Sequence, residues 1–159
     1  MSLPTTYADA LVYLYGEEGG YTEDAGGPTR WGVTQAVARA HGYAGDMHDY
    51  PQADAAAVYK PDYWDAVRCD ELPAGLRFAV FDVAVNSGAH EAAVLLQRAA
   101  GVPADGALGT QTMTAVDAAD PDVVLRKLCG YRLELMAALP NWDADGRGWS
   151  RRIAAILVA

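Results

Sequence analysis

Between Pro73 and Gly88 the chain carries Leu76, Phe78, Val80, Phe81 and Val83 in a run otherwise poor in polar residues. Proline suits the entrance of a helix and glycine its exit, so residues 74–86 are expected to form one helix. Apolar side chains fall on most sides of it. A helix of that kind has to be enclosed by other elements rather than laid on a surface. The chain is therefore expected to wrap its remaining segments around this one.

Those segments read as further helices. Residues 6–18 place Tyr7, Leu11, Leu14 and Tyr15 on one face, and Thr6 with Asp9 resembles a capping box. Thr34 can cap a helix over 35–41, and Pro51 can open one over 52–60 in which Pro61 must cause a kink or a restart. Helices over 90–100, 110–118 and 122–138 follow, with Gly101 and Asp120-Pro121 as punctuation. Residues 141–148 read as a loop before a last short helix over 149–157. Residues 21–33 are different: glycine-rich and aromatic, they suggest a short irregular hairpin turning at Gly26-Gly27-Pro28. The fold class is thus mainly α with one small hairpin. At 159 residues it is expected to pack as one unit of two lobes, 1–70 with the hairpin and 71–159 all helical.

Charge narrows the function. A net charge of −9 offers no basic face for nucleic acid or anionic lipid. No apolar run approaches the length of a membrane span, and residues 1–9 lack the features of a secretory signal. Cys69 and Cys129 stand in unrelated contexts and suggest free thiols rather than a disulfide or a zinc site. His41, His48 and His90 have no metal spacing, Asn86-Ser87-Gly88 is not a serine-hydrolase elbow, and Asp143-Ala144-Asp145-Gly146 misplaces the glycine of a calcium loop. No cofactor or metal is expected.

The chemistry concentrates at Glu18-Gly19-Gly20-Tyr21. Glu18 stands where a helical pattern stops, facing the negative pole of the helix dipole. That pole disfavours ionisation, as does burial against Tyr21 or Trp31. A carboxyl kept protonated near neutral pH is what a general acid requires.

These residues resemble those of the glycoside hydrolase 108 family of peptidoglycan muramidases, known as phage endolysins. The likeness runs through Asp24, Gly26-Gly27, Thr29, Gly32-Val33-Thr34, Tyr63-Trp64-Asp65 and Arg68-Cys69-Asp70-Glu71-Leu72-Pro73. It continues into the family's companion peptidoglycan-binding segment through Phe81-Asp82, Asn86-Ser87-Gly88, Leu96-Gln97-Arg98-Ala99, Gly101 to Gly106 and Gly146-Arg147-Gly148-Trp149. Between Tyr21 and Asp24 the chain is shorter than the family pattern. The resemblance implies a lysozyme-like fold, hydrolysis of the β-1,4 bond between N-acetylmuramic acid and N-acetylglucosamine, and Glu18 as the catalytic acid.

Other roles stay open between two readings each. Asp24 is a candidate second carboxylate, with Glu23 beside it, or a turn residue; its separation from Glu18 would decide between activating a water and attacking directly. Thr29 can hold the attacking water or satisfy the turn. Tyr21, Trp31, Tyr63 and Trp64 can stack on sugars or fill the core. Asn86 can bind an N-acetyl group or cap its helix. Competing functions are a lytic transglycosylase, a cysteine amidase built on Cys69 and His90, and a non-catalytic murein-binding module. The expected partner is bacterial peptidoglycan, met by a monomer. The protein would accumulate in a host cytoplasm and reach the periplasm through a holin pore or as cargo of a phage-derived particle.

Overall fold

The structure is a computed structural model that describes residues 3–18, 20–24 and 27–159, without the side chains of Glu17, Glu18 and Asp24. In chain order it comprises α1 (Tyr7–Glu18), β1 (Tyr21–Asp24), β2 (Gly27–Arg30), β3 (Val33–Thr34), α2 (Gln35–Ala40) and α3 (Gln52–Tyr59). Then come α4 (Ala74–Ser87), α5 (Ala89–Ala100), α6 (Thr110–Ala118), α7 (Pro121–Ala137) and α8 (Trp142–Leu157). No described helix is long and apolar enough to cross a membrane.

Helix α4 holds the centre, as its composition requires. From Phe78 to Ala84 every one of its residues is buried. Around it α5 and α7 pack along its flank, α8 packs on α7, and α1 meets it through the edge contact of Tyr13 on Phe78 at 4.6 Å. One buried cluster runs from Ala10 in α1 to Ile156 in α8, so both halves of the chain share it.

Several local expectations hold. The Thr6 hydroxyl bonds the Asp9 carboxylate at 2.7 Å and accepts the Asp9 N–H, which caps α1. Asp120 caps α7 by accepting the N–H groups of Asp122 and Val123, with Pro121 in the first turn. Pro51 lies one residue ahead of its expected position, as the N-cap of α3. The expected helix end at Gly19 lies outside the described residues.

Three expectations need correction. The hairpin turn is not Gly26-Gly27-Pro28: Gly27 and Pro28 lie in β2, where they pair with Asp24 and Glu23, and residues 25–26 lie outside the described residues. The segment is also a three-stranded antiparallel sheet, because Val33 and Thr34 return to pair with Arg30 and Thr29. Pro61, expected to kink or restart a helix, sits in a π-helical segment, Lys60–Asp65, that continues directly from α3. Proline lacks the N–H and crowds the carbonyl four residues back, and a widened turn relieves both.

The third correction concerns residues 141–148, which are helical and belong to α8. Gly146 is not a loop residue. It is buried beneath the Trp142 indole, where an added Cβ would come within 2.8 Å of the ring. The glycine admits the ring.

One polar cluster lies inside this apolar frame. Asp82, wholly buried in α4, accepts a 2.6 Å bond from Nη1 of Arg132 in α7 and a 2.8 Å bond from Nε of Arg152 in α8. Removing one member of a buried ion cluster leaves uncompensated charge. Asp82→Ala is therefore expected to destabilise the protein by about 3–5 kcal/mol, read as a lowered urea midpoint at unchanged slope. A change too small to measure would mean the cluster does not bind the helices together.

Candidate active site at the end of helix α1

The stripe of α1 that packs inward comprises Tyr7, Leu11 and Leu14, spaced by four and three residues. Position 18 continues that stripe at the next helical repeat. The backbone therefore delivers Glu18 on the packed side of α1, in its last turn, just before β1 begins. Its side chain lies outside the described residues, as does that of Asp24, and so does the separation between their carboxyl groups.

The sheet register sorts the other candidates. Thr22 pairs with Thr29, which in turn pairs with Thr34, so these positions and position 24 share one face. Tyr21, Glu23, Pro28, Arg30 and the buried Val33 occupy the other. Asp24 and Thr29 are brought to a common face, and Tyr21 is not on it. The Tyr21 ring stacks on His48 at 3.7 Å, and its hydroxyl donates to Glu23. One face of that ring is already occupied. Nearby, Asp46 accepts the His48 N–H, which holds its carboxyl below the usual range.

Trp31 is the hinge between β2 and β3. Its φ of +52° is a left-handed conformation that non-glycine residues seldom adopt, and neighbours over-determine it. Its indole N–H donates to the Tyr50 carbonyl at 3.0 Å, and its own carbonyl accepts the Tyr59 hydroxyl at 3.1 Å. Tyr15 of α1 meets its ring edge at 5.5 Å, and the Arg30 guanidinium lies 5.0 Å from the ring centre. The turn is thereby tied to both α1 and α3. Trp31 is half-buried, so it serves as anchor and as wall of the site together.

Tyr63, in the π-helical segment, is half-buried and tilts against Tyr59 at 5.5 Å, so it joins the same aromatic wall. Trp64 does not. It is fully buried among Tyr7 and Phe81 and is a core residue. Asn86 is exposed in the last turn of α4, where its side-chain N–H donates to the Asp82 carbonyl at 2.8 Å. That bond ties the side chain to its own helix and takes up one of the two N–H groups of its amide.

Sequence reasoning overlooked Tyr15 and Tyr59 as parts of this wall. Their signal was available: Tyr15 lies three residues before Glu18, and Tyr59 four before Tyr63, both helical neighbours. Burial, with the Tyr50 hydroxyl next, pushes the Tyr15 phenol up to about 12. At neutral pH it is protonated, and its hydroxyl donates to the Gln52 carbonyl at 3.3 Å. A wall of phenols and an indole can bind a sugar ring.

Comparison with known proteins agrees with this geometry. The glycosyl hydrolase 108 family matches residues 11–88, and a predicted peptidoglycan domain matches residues 91–154. No curated protein sequence matches the chain. Among solved structures, the chain is similar to that of Brucella abortus SagA, with 31% identity and a TM-score of 0.85 over 96% of this chain and 91% of that one. The mainly helical fold with its small sheet is the lysozyme-like arrangement that the sequence resemblance implies. Matched from α1 through the sheet to the end of α4, and alike to a solved relative over nearly its whole length, the chain belongs to the glycosyl hydrolase 108 family and is a glycoside hydrolase acting on peptidoglycan.

Proposed function

We propose that the protein is an N-acetylmuramidase that cleaves the β-1,4 bond between N-acetylmuramic acid and N-acetylglucosamine, with Glu18 as general acid. The observation that carries this is the packed stripe of α1, Tyr7, Leu11 and Leu14, whose next helical repeat is position 18, on the helix that Tyr15 ties to the aromatic wall of Trp31, Tyr59 and Tyr63. Desolvation against such a wall and the negative pole of a helix C-terminus would each favour the protonated form that donates to a departing sugar oxygen. The shared face of positions 24 and 29 supports Asp24 and Thr29 as holders of the attacking water. Trp31 and Tyr63 would flank the sugar, with Tyr21 at the rim.

The acidic protein fits an endolysin role in which it accumulates in a host cytoplasm and meets the wall through a holin pore or as particle cargo. It would act as a monomer, its 1–70 lobe carrying the chemistry and its 71–159 lobe holding murein.

A cysteine amidase loses its support. Cys69 is fully buried, its thiol donates to the Arg77 carbonyl at 3.6 Å, and burial pushes its titration well above the usual thiol range. A thiol so placed is inert.

Glu18→Gln is expected to lower the release of soluble muropeptides from purified sacculi by roughly 10²–10⁴-fold, with the circular dichroism spectrum unchanged. Mass spectrometry of the wild-type products should find reducing N-acetylmuramic acid ends. Anhydro ends would replace the hydrolase reading with a transglycosylase, and near-full activity of the variant would overturn the assignment of the acid. Cys69→Ala should retain activity in the same assay. Because enzyme and wall are both anionic, the initial rate should rise with modest salt before it falls; a rate that falls from the lowest salt upward contradicts this.

A further inference from the structure

In an acidic chain, cations without partners are informative. Of the 12 Lys and Arg residues, Arg126, Lys127, Arg147 and Arg151 are those with no hydrogen bond, ion pair or ring contact among the described residues. The others are engaged, as in Lys60 with Asp65, Arg68 with Glu71, and Arg98 with Glu134. Two of the four unengaged cations stand four residues apart on α8. That spacing puts them on one flank of the helix, both exposed.

Beside that flank lies a shallow hollow of about 380 Å³ lined by Trp142, Asp143, Gly146, Arg147, Ser150 and Arg151. Its floor exists because residue 146 has no side chain, so the Trp142 indole lies against the helix backbone. Trp149 continues the apolar edge, with ring centres 6.2 Å from those of Trp142. Both indoles are half-buried against the core, which fixes their exposed edges. The hollow thus combines a rigid aromatic edge, a hydroxyl, one carboxylate and two guanidinium groups free to bind.

We infer that this flank of α8 is a peptidoglycan-holding site in which Arg147 and Arg151 bind stem-peptide carboxylates while the Trp142 edge lies against the glycan. The inference rests on the proposal that the substrate is peptidoglycan, and it names the contact. Charge complementarity selects the occupant. Guanidinium groups pair with carboxylates through parallel hydrogen bonds, and indole edges suit the apolar faces of sugars. A murein strand carries both chemistries side by side. Asp143, in the same row as the arginines, is an acceptor for sugar hydroxyl or amide N–H groups. The site would hold the strand away from Glu18, on a helix that Arg152 fastens to α4.

The experiment uses the full chain with Glu18→Gln, so that the wall stays intact, and measures cosedimentation with sacculi free of teichoic acid. Arg147→Ala with Arg151→Ala should weaken binding by roughly ten-fold. Arg126→Ala with Lys127→Ala removes the same charge from α7 and should leave binding unchanged. On glycan strands stripped of their stem peptides, the α8 pair of substitutions should have no effect, while Trp142→Ala still weakens binding. Equal losses from both charge pairs would reduce the effect to diffuse electrostatics and overturn the site. So would full binding by the Arg147/Arg151 variant, or an undiminished arginine effect on stripped glycan. Failure of the Glu18→Gln protein to bind sacculi would also overturn the site, and fragment release by the wild type then decides separately whether the hydrolase reading stands.

Discussion

A carboxylate cannot lie in the middle of an apolar helix without compensation, and Asp82 does lie there. Its charge has to be met by cations brought from elsewhere, and Arg132 and Arg152 come from 50 and 70 residues further along the chain. Hydrophobic packing alone lets neighbouring helices slide at little cost, whereas a charge-assisted bond is intolerant of misplacement. Asp82 therefore fixes where α7 and α8 lie along α4. The cluster is not fully satisfied: Nε and Nη2 of Arg132 are buried without a hydrogen-bond partner. Specificity of packing is gained there at some expense of stability.

From this fixed frame the site is assembled outward. Helix α4 supports α1 through Tyr7 and Tyr13, and α1 in turn supports the turn at Trp31 through Tyr15. Tyr59 and Tyr50 close the arrangement from the side of α3. The left-handed backbone at Trp31 is thus held by contacts in three segments. A sheet this small would be marginal alone, since few strands and few buried residues give it little stability of its own. Its position near Glu18 is set by aromatic contacts with helices, not by its own ladder.

How far the sequence discloses all this depends on the range of the interaction involved. Helix α4 and the start of α7 are legible because Pro73, Gly88, Asp120 and Pro121 act on their immediate neighbours. The motif around position 18 stands out because its glycines follow directly. The bond between Tyr59 and the Trp31 carbonyl spans 28 residues, and no local pattern announces it. Asp82 reads as an ordinary polar residue until its arginines are seen. At α8 the local signal misleads: Gly146 and Gly148 suggest a loop, whereas the first of them makes room for an indole inside a helix. The third strand escaped notice because two residues are too few to alternate.

The π-helical segment after α3 carries a consequence for how such a chain can change length. Adding a residue to an α-helix turns everything beyond it by about 100° about the axis, which would carry a buried face into solvent. A π turn takes up the surplus residue on the spot. Tyr59 before it and Trp64 within it both remain buried, although a proline stands between them. The segment widens the end of the helix, and turns at residues 66–68 follow it. Insertions of this kind let a lineage alter the wall of its cleft without redrawing the core behind it.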